Sequence, residues 1–263
     1  MIEDLSNSNS DSNRNSVIKK FFFDGNMVDG EPDYSSADTF IHAVEAFANV
    51  TYQSVYIIDY YRRNFLYVSP NPLFLCGISP DKVKELGYEF YLDHVPADEV
   101  DMLLEINQAG FSFINRVPPA EKNKYTISYD FHIINGHDKL LINHKLTSLA
   151  CLPEGSIWLG LSVVSLSTHS NAGHVTMHCV DKEGYWKYDL DSHCWEEHDA
   201  PVLNETEKAI LTLSIRGLTI NAIAEQINLA VDSVKSARRR LYEKLEVNNI
   251  SEAISYAINN KLL

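Results

Sequence analysis

The chain has 263 residues, more than one average domain needs and enough for two, and its 45% hydrophobic and 22% charged composition excludes disorder over most of that length. A net charge of −14 argues against nucleic acid as a partner of the chain taken whole, but residues 1–200 carry 14 basic against 29 acidic groups while residues 201–263 carry 8 against 7. Any contact with phosphates therefore falls to the final segment. No apolar run approaches the roughly 18 residues of a membrane span, and the Asn/Ser-rich start lacks the apolar core of a signal peptide, so a cytoplasmic location is expected. The four cysteines, Cys76, Cys151, Cys179 and Cys194, show no CxxC spacing and read as free thiols rather than a disulfide scaffold.

In chain order, residues 1–16 hold too little apolar surface to offset ordering entropy, and a mostly disordered tail is expected over residues 1–35. Ser36 stands at an N-cap position before ADTFIHAVEAFANV, where Phe40, Val44 and Phe47 recur at i, i+4 and i+7 as the stripe of an amphipathic helix. Two short β-rich runs follow, SVYIIDY and NFLYVS, separated by the polar YRRN. Ser79, Pro80 and Asp81 then give a cap and first-turn proline for another helix, and a helical stretch with Val100, Leu103, Leu104 and Ile106 begins after Pro96. Beyond it the pattern turns to period 2 or continuous apolar: TISYDFHII, a turn at Asn135 and Gly136, LLINHKLTSLA, a turn at Pro153, Glu154 and Gly155, and SIWLGLSVVSL. Such an antiparallel meander excludes a receiver domain, which needs alternating parallel βα units.

Two short strands, a helical middle and a three-strand meander, with NPLFLCGISPDKVKELG and HVPADEV between them, resemble the PAS sensor domain across residues 37–166. The family's usual Tyr is Ile78 here, and Val95 separates His94 from Pro96. The resemblance implies a sensor over residues 36–168. A flavin-binding member would need a reactive Cys in a Gly-x-Asn-Cys segment near Gly87, where the chain reads GYEFYL, and His94 lies in a loop-like stretch unsuited to a haem ligand; no cofactor is expected. Strand alternation and position in that family mark Phe74, Phe90, Phe131, Ile133, Leu146, Trp158 and Leu161 as candidates around an interior ligand pocket. A filled core without a cavity is the competing reading, because an apolar strand face is core far more often than a ligand site.

Residues 169–200 read as a connecting segment that forms a small β-hairpin or three short strands, with its turn at Lys182, Glu183 and Gly184, and bridges the two domains. Its His174, His178, Cys179, His193, Cys194 and His198 have no standard zinc spacing, and neighbouring His-Cys pairs on a strand face opposite ways, so no metal is expected.

The remaining residues, 201–263, read as an all-α domain, giving an α+β protein whose N-terminal antiparallel sheet with helices is followed by a helical reader. Asn204 and Glu207 have capping-box spacing with Asn in place of Ser or Thr, and Gly217 suits the end of that helix. Thr219 leads into NAIAEQI, the turn is Leu229 to Asp232, and SVKSARRRLYEKL follows with Val234, Ala237, Leu241 and Leu245 on one side and Lys235, Ser236 and Arg239 on another. Lys235, Arg238, Arg239, Arg240 and Lys244 form a basic cluster, and SEAISYAINN is the last helix.

LNETE, GLTINAIA, AVDSVKSA and YEKL, in that order and at those gaps, resemble the LuxR/GerE-type helix-turn-helix. Ala230 stands where that family has a capping Ser, Ala237 where it has His, Glu246 where it has Gly, and Ile250 where it has Arg. The resemblance implies double-stranded DNA as partner, with Lys235, Ser236 and Arg239 toward bases, Arg238, Arg240 and Thr219 toward phosphates, and Ser233 at the helix start. It also implies a homodimer on a symmetric site, for which Ala253, Ile254, Ala257 and Ile258 offer an apolar strip. No phosphate-cradling Gly loop, Gly-x-Ser-x-Gly or paired carboxylates appear, so no enzyme is expected. The expected function is a transcription regulator whose PAS-like domain senses a small molecule or a protein partner; the alternative is an interaction module that docks through its helical domain.

Overall fold

The β-branched and aromatic runs of the first two hundred residues pair into one sheet, made of β1 (Ser54–Asp59), β2 (Asn64–Val68), β3 (Tyr125–Asn135), β4 (Asp138–Cys151), β5 (Ile157–Leu166), β6 (Gly173–Cys179), β7 (Tyr185–Asp189) and β8 (Cys194–His198). The computed structural model describes residues 14, 16–21, 28, 30–260, 262 and 263. It contains two compact units, one ending at His198 and the other spanning Asp199–Leu263. None of its described helices is long and apolar enough to cross a membrane.

The eight strands run β2-β1-β5-β4-β3-β6-β7-β8, with every neighbouring pair antiparallel. Helix α1 (Ala37–Thr51) covers one face, packing Val44 and Ala48, with Phe40 and Ile41, on Val55, Ile57, Tyr67, Trp158 and Leu159. The other face is covered by α2 (Pro72–Leu75), α3 (Pro80–Leu86), α4 (Glu89–His94) and α5 (Ala97–Ile114), around Tyr56, Phe65, Phe74, Phe90 and Phe131. Because both faces are covered, all six residues of β1 are buried, which is why the run is continuously apolar rather than alternating. Ser79 caps α3 through its hydroxyl, which accepts from the Lys82 amide at 3.2 Å.

Three expectations change here. Residues 16–21 are helical, and Phe21 is buried with its ring 5.6 Å from Tyr88 and 5.7 Å from Tyr91, so this part of the tail is ordered by burying an apolar edge. The expected disorder of residues 1–13, 15, 22–27 and 29 lies outside the described residues. On α1, Phe47 is 46% exposed and Ala48 takes its place in the core, because a small residue brings the helix close to the sheet. The connecting segment forms the three short strands of its two alternatives, but as part of the sheet rather than as a bridge: β6 pairs with the open edge of β3, Ile127 opposite Met177, and its alternating burial puts Val175, Met177 and Cys179 into the core.

In the second unit, α6 (Glu205–Ile215), α7 (Ile220–Gln226), α8 (Val231–Leu245) and α9 (Ile250–Asn259) enclose two small clusters. Ile210, Leu213, Ile223, Ala224, Val234 and Ala237 form one, and Leu203, Leu211, Leu241, Leu245, Ala253 and Ala257 the other. The capping box is complete: Asn204 Oδ1 accepts from the Glu207 amide and Glu207 Oε2 from the Asn204 amide, both at 2.9 Å. Gly217 takes φ +79 after α6, and the Thr219 hydroxyl caps α7 by accepting from the Ala222 amide at 3.3 Å.

Candidate nucleic-acid interface

Helix α8 buries Val234, Ala237, Leu241 and Leu245, a seam at i, i+3, i+7 and i+11, so the geometry of 3.6 residues per turn leaves the opposite side in solvent. That outward side carries Asp232, Lys235, Ser236, Arg239, Arg240 and Glu243, all exposed. Ser233 is exposed at the helix start, and Thr219 is exposed while its hydroxyl caps α7. Arg238 lies on the flank, where its Nε and Nη2 donate to the Tyr242 hydroxyl at 3.0 and 2.7 Å. Lys235 pairs with Asp232 at 3.1 Å and Arg239 with Glu243 at 3.8 Å. Asp232 and Glu243 are residues of that outward face that a search for basic side chains passes over; their spacing of three and four from the cations was the available signal.

Lys244 leaves the expected cationic cluster. Its ammonium donates to Glu207 Oε2 at 2.7 Å, to Glu207 Oε1 at 2.9 Å and to the Val202 carbonyl at 3.0 Å, so it braces α8 against the start of α6 and neutralises a buried carboxylate. The apolar strip of α9 is also corrected. Ala253 and Ala257 are 0% exposed inside their own unit, whereas Ile254 is half-buried and Ile258 is 58% exposed. A small residue at i and i+4 lets α9 approach α6 and α8 closely, which is an intrachain use of the same pattern.

In the sheet unit the candidate pocket residues do not converge. Phe74, Phe90, Phe131 and Ile133 are packed in the core beneath α2–α5, while Trp158 and Leu161 lie on the opposite face with α1. Among the pocket candidates, Leu146 alone lines a cavity of about 50 Å³, which is bounded also by Tyr60, Gly110, Phe111, Tyr129 and Met177. Beside it is a polar cluster that apolar patterning does not reveal. The Tyr56 hydroxyl meets His144 Nε2 at 2.5 Å and the Tyr91 hydroxyl at 2.6 Å, and the Tyr129 ring lies 4.8 Å from that of His144. Burial holds the His144 imidazole down at about 3, so it is neutral, and raises the Tyr56, Tyr91 and Tyr129 phenols well above their ordinary value. His144 Nδ1 has no hydrogen-bond partner among the described residues.

The six His/Cys residues of the β6–β8 segment are likewise not brought to one point. His178 and His198 stack on Tyr185 at 5.2 and 5.4 Å, Cys179 is buried while Cys194 is exposed, and His193 Nδ1 is 2.6 Å from Glu105.

Residues 201–257 match the family model for bacterial regulatory proteins of the luxR family. The match falls inside the helical unit and does not reach the sheet unit. The probable transcriptional regulatory protein NarL of Mycobacterium tuberculosis is 39% identical over 64 residues, which are 24% of this chain and 30% of that protein. The match thus spans less than a third of the relative's length. Among solved structures, the phage VqmA–DPO complex covers 88% of this chain and 92% of that one at 16% identity, with a TM-score of 0.33. The Vibrio cholerae VqmA dimer covers 84% and 88% at 14% identity, again with a TM-score of 0.33. The departures from the luxR pattern are visible in the geometry: Ala230 gives α8 no side-chain cap, and Glu246 ends α8 in the left-handed region at φ +54, a conformation that glycine adopts without strain.

Proposed function

We propose that the chain is a DNA-binding transcription regulator that acts in the cytoplasm as a dimer, reading a symmetric site through α8 and taking its signal through the sheet domain by binding rather than catalysis. The observation that carries this reading is the outward face of α8, where Lys235, Ser236 and Arg239 stand exposed on a helix whose opposite side is locked into a helix-turn-helix core. A helix of that kind fits the major groove, where Lys and Arg reach guanine O6 and N7. Arg238 and Arg240 flank this strip and suit phosphates, while Asp232 is a group able to accept from cytosine N4. The acidic remainder of the chain repels DNA, which confines contact to this face.

For the signal we favour a small molecule over a protein partner, because the buried Nδ1 of His144 has no partner among the described residues and the His144 ring packs on Tyr129, which with Leu146 lines the cavity. An orphaned buried polar atom costs about 1–3 kcal/mol, which a ligand with a matching group removes. At about 50 Å³ the cavity is far below the several hundred Å³ of a typical ligand site, so binding must displace part of its wall.

Selection of binding sites from random duplex DNA with the full chain, followed by titration of the recovered sequence at several salt concentrations, tests the reading. Four cationic groups at the face, Lys235, Arg238, Arg239 and Arg240, predict affinity falling steeply with salt. Recovery of no sequence, or affinity for a partner protein that is flat in salt, favours the docking module instead.

A further inference from the structure

Asp130 is a carboxylate with 0% exposure on β3, at the point where its register with β6 shifts between Ser128 and Asp130. Among the described residues it forms no ion pair with Lys or Arg; Oδ1 accepts from Asn143 Nδ2 at 2.8 Å, and Oδ2 lies 2.5 Å from His169 Nδ1. Asn143 is itself held by Ser128, its Nδ2 donating to the Ser128 hydroxyl at 3.0 Å. A buried carboxylate without a fixed cation is costly, and such groups are paired or coordinate a metal. The β5–β6 connection supplies His169, and His174 at the start of β6 stacks on it with ring centroids 3.8 Å apart and planes 7° from parallel. Gly173 at φ +100 and His174 at φ +51 turn the chain so that this second imidazole arrives there. His174 Nε2 lies 3.3 Å from Asn171 Oδ1, and because an imidazole lone pair lies in its ring plane, the two stacked rings must rotate apart before both can face one ion.

We propose that Asp130, His169 and His174 bind a divalent transition-metal ion of the zinc class. One donor atom from each lies within 4.8 Å of the others, and no other His/Cys/Asp/Glu group among the described residues converges in this way. Two imidazoles, which are borderline donors, together with one carboxylate suit zinc, whereas calcium and magnesium select all-oxygen sets. Metal–ligand bonds of about 2.0–2.2 Å place tetrahedral donors about 3.4 Å apart, so the Asp130–His169 pair must open by about 1 Å, a movement of the half-exposed His169 in its connection. On binding, the ion replaces the proton shared by Asp130 and His169, that proton leaves to solvent, and water takes the fourth position. Asn143 orients the carboxylate, as outer-shell partners of metal ligands do. The bound ion ties the β5–β6 connection to β3 and so fixes β6, from which the chain runs on through β7 and β8.

The test uses the purified full chain and zinc chloride alone. Isothermal titration, with native mass spectrometry for stoichiometry, is expected to show one ion bound per chain. The His169→Gln, His174→Gln double variant, which leaves Asp130 and its Asn143 contact in place so that the fold is retained, is expected to weaken binding more than 100-fold, since outer-shell partners alone are worth about 10–100-fold. Asn143→Ala is expected to fall within that smaller range. His178→Gln, outside the cluster, is expected to bind as the parent chain does. No binding by the parent chain, or an undiminished zinc affinity in the double variant with its circular dichroism intact, overturns the proposal.

Discussion

On α8 the two cations proposed to face bases are already paired, Lys235 with Asp232 and Arg239 with Glu243, through exposed contacts within one turn. Exposed pairs of this kind are worth about 0.2–1 kcal/mol, whereas a well-placed contact to guanine is worth about 1–3 kcal/mol, so DNA wins the competition for both side chains. Arg239→Ala is therefore expected to cost about 1–3 kcal/mol on the selected site and to relax preference at one base pair. Arg240→Ala should weaken all sequences alike and reduce the salt slope by about one. Equal loss on every sequence for Arg239→Ala, measured by anisotropy on a panel of single-base variants, removes it from the base-reading set. A second residue-scale consequence concerns His144. Its imidazole is held at about 3 when folded and returns to about 6.5 when unfolded, so the unfolded chain binds the extra proton between those values. Its contribution makes stability rise with pH across that window, by about 1.4 kcal/mol per unit, and is complete above about 6.5. His144→Phe should flatten that part of the profile in urea melts at pH 4, 5 and 6; an unchanged slope shows that other groups set it.

Among the elements, α9 and the start of α8 make opposite demands on alanine. Ala257 is sealed between α9 and the rest of its unit, and a charge there is buried unpaired, so Ala257→Glu is expected to unfold the helical unit. Ile258, on the same helix but exposed, is the position that tests a dimer contact. Ile258→Glu should keep the unit folded while lowering operator affinity and shifting sedimentation toward the monomer; unchanged sedimentation places the dimer contact off α9. At Ala230 the backbone has the extended φ −65, ψ 145 of an N-cap but no side-chain acceptor. Ala230→Ser should add about 0.5–1 kcal/mol to the stability of this unit, read as a higher melting temperature. A lower one means that the serine hydroxyl finds no amide of α8.

For the molecule as a whole, the proposed sensor and reader are separate compact units, and on that reading a ligand has to enter a sheet domain whose core is nearly filled. Small aromatic compounds with a hydrogen-bonding ring atom are expected to raise the melting temperature of the chain in proportion to the logarithm of their concentration above Kd. His144→Phe should abolish that rise, since it removes the orphaned Nδ1. If no such compound shifts the parent chain, the input is a protein docking on the domain rather than a ligand within it.

The helical unit was legible in the sequence because its signals are local. The Asn204–Glu207 capping box, the glycine ending α6 and the Val234–Leu245 seam all join residues within a few helical turns, and their order and gaps carry the family likeness. The meander was legible for the same reason, its turns lying between successive strands. Tertiary structure alone decided which side of each apolar pattern is core. With both sheet faces covered, two-residue alternation gives no sign that Trp158 and Phe131 lie on opposite faces, and the helical period of Ala253 and Ala257 reads the same for an internal seam as for a dimer surface. It also decided every contact between distant segments: β6 joining the free edge of β3, Tyr56 meeting His144 across 88 positions, and Asp130 meeting His169 across 39. Chain closure over such separations is set by strand register and sheet order, which no short window of residues encodes.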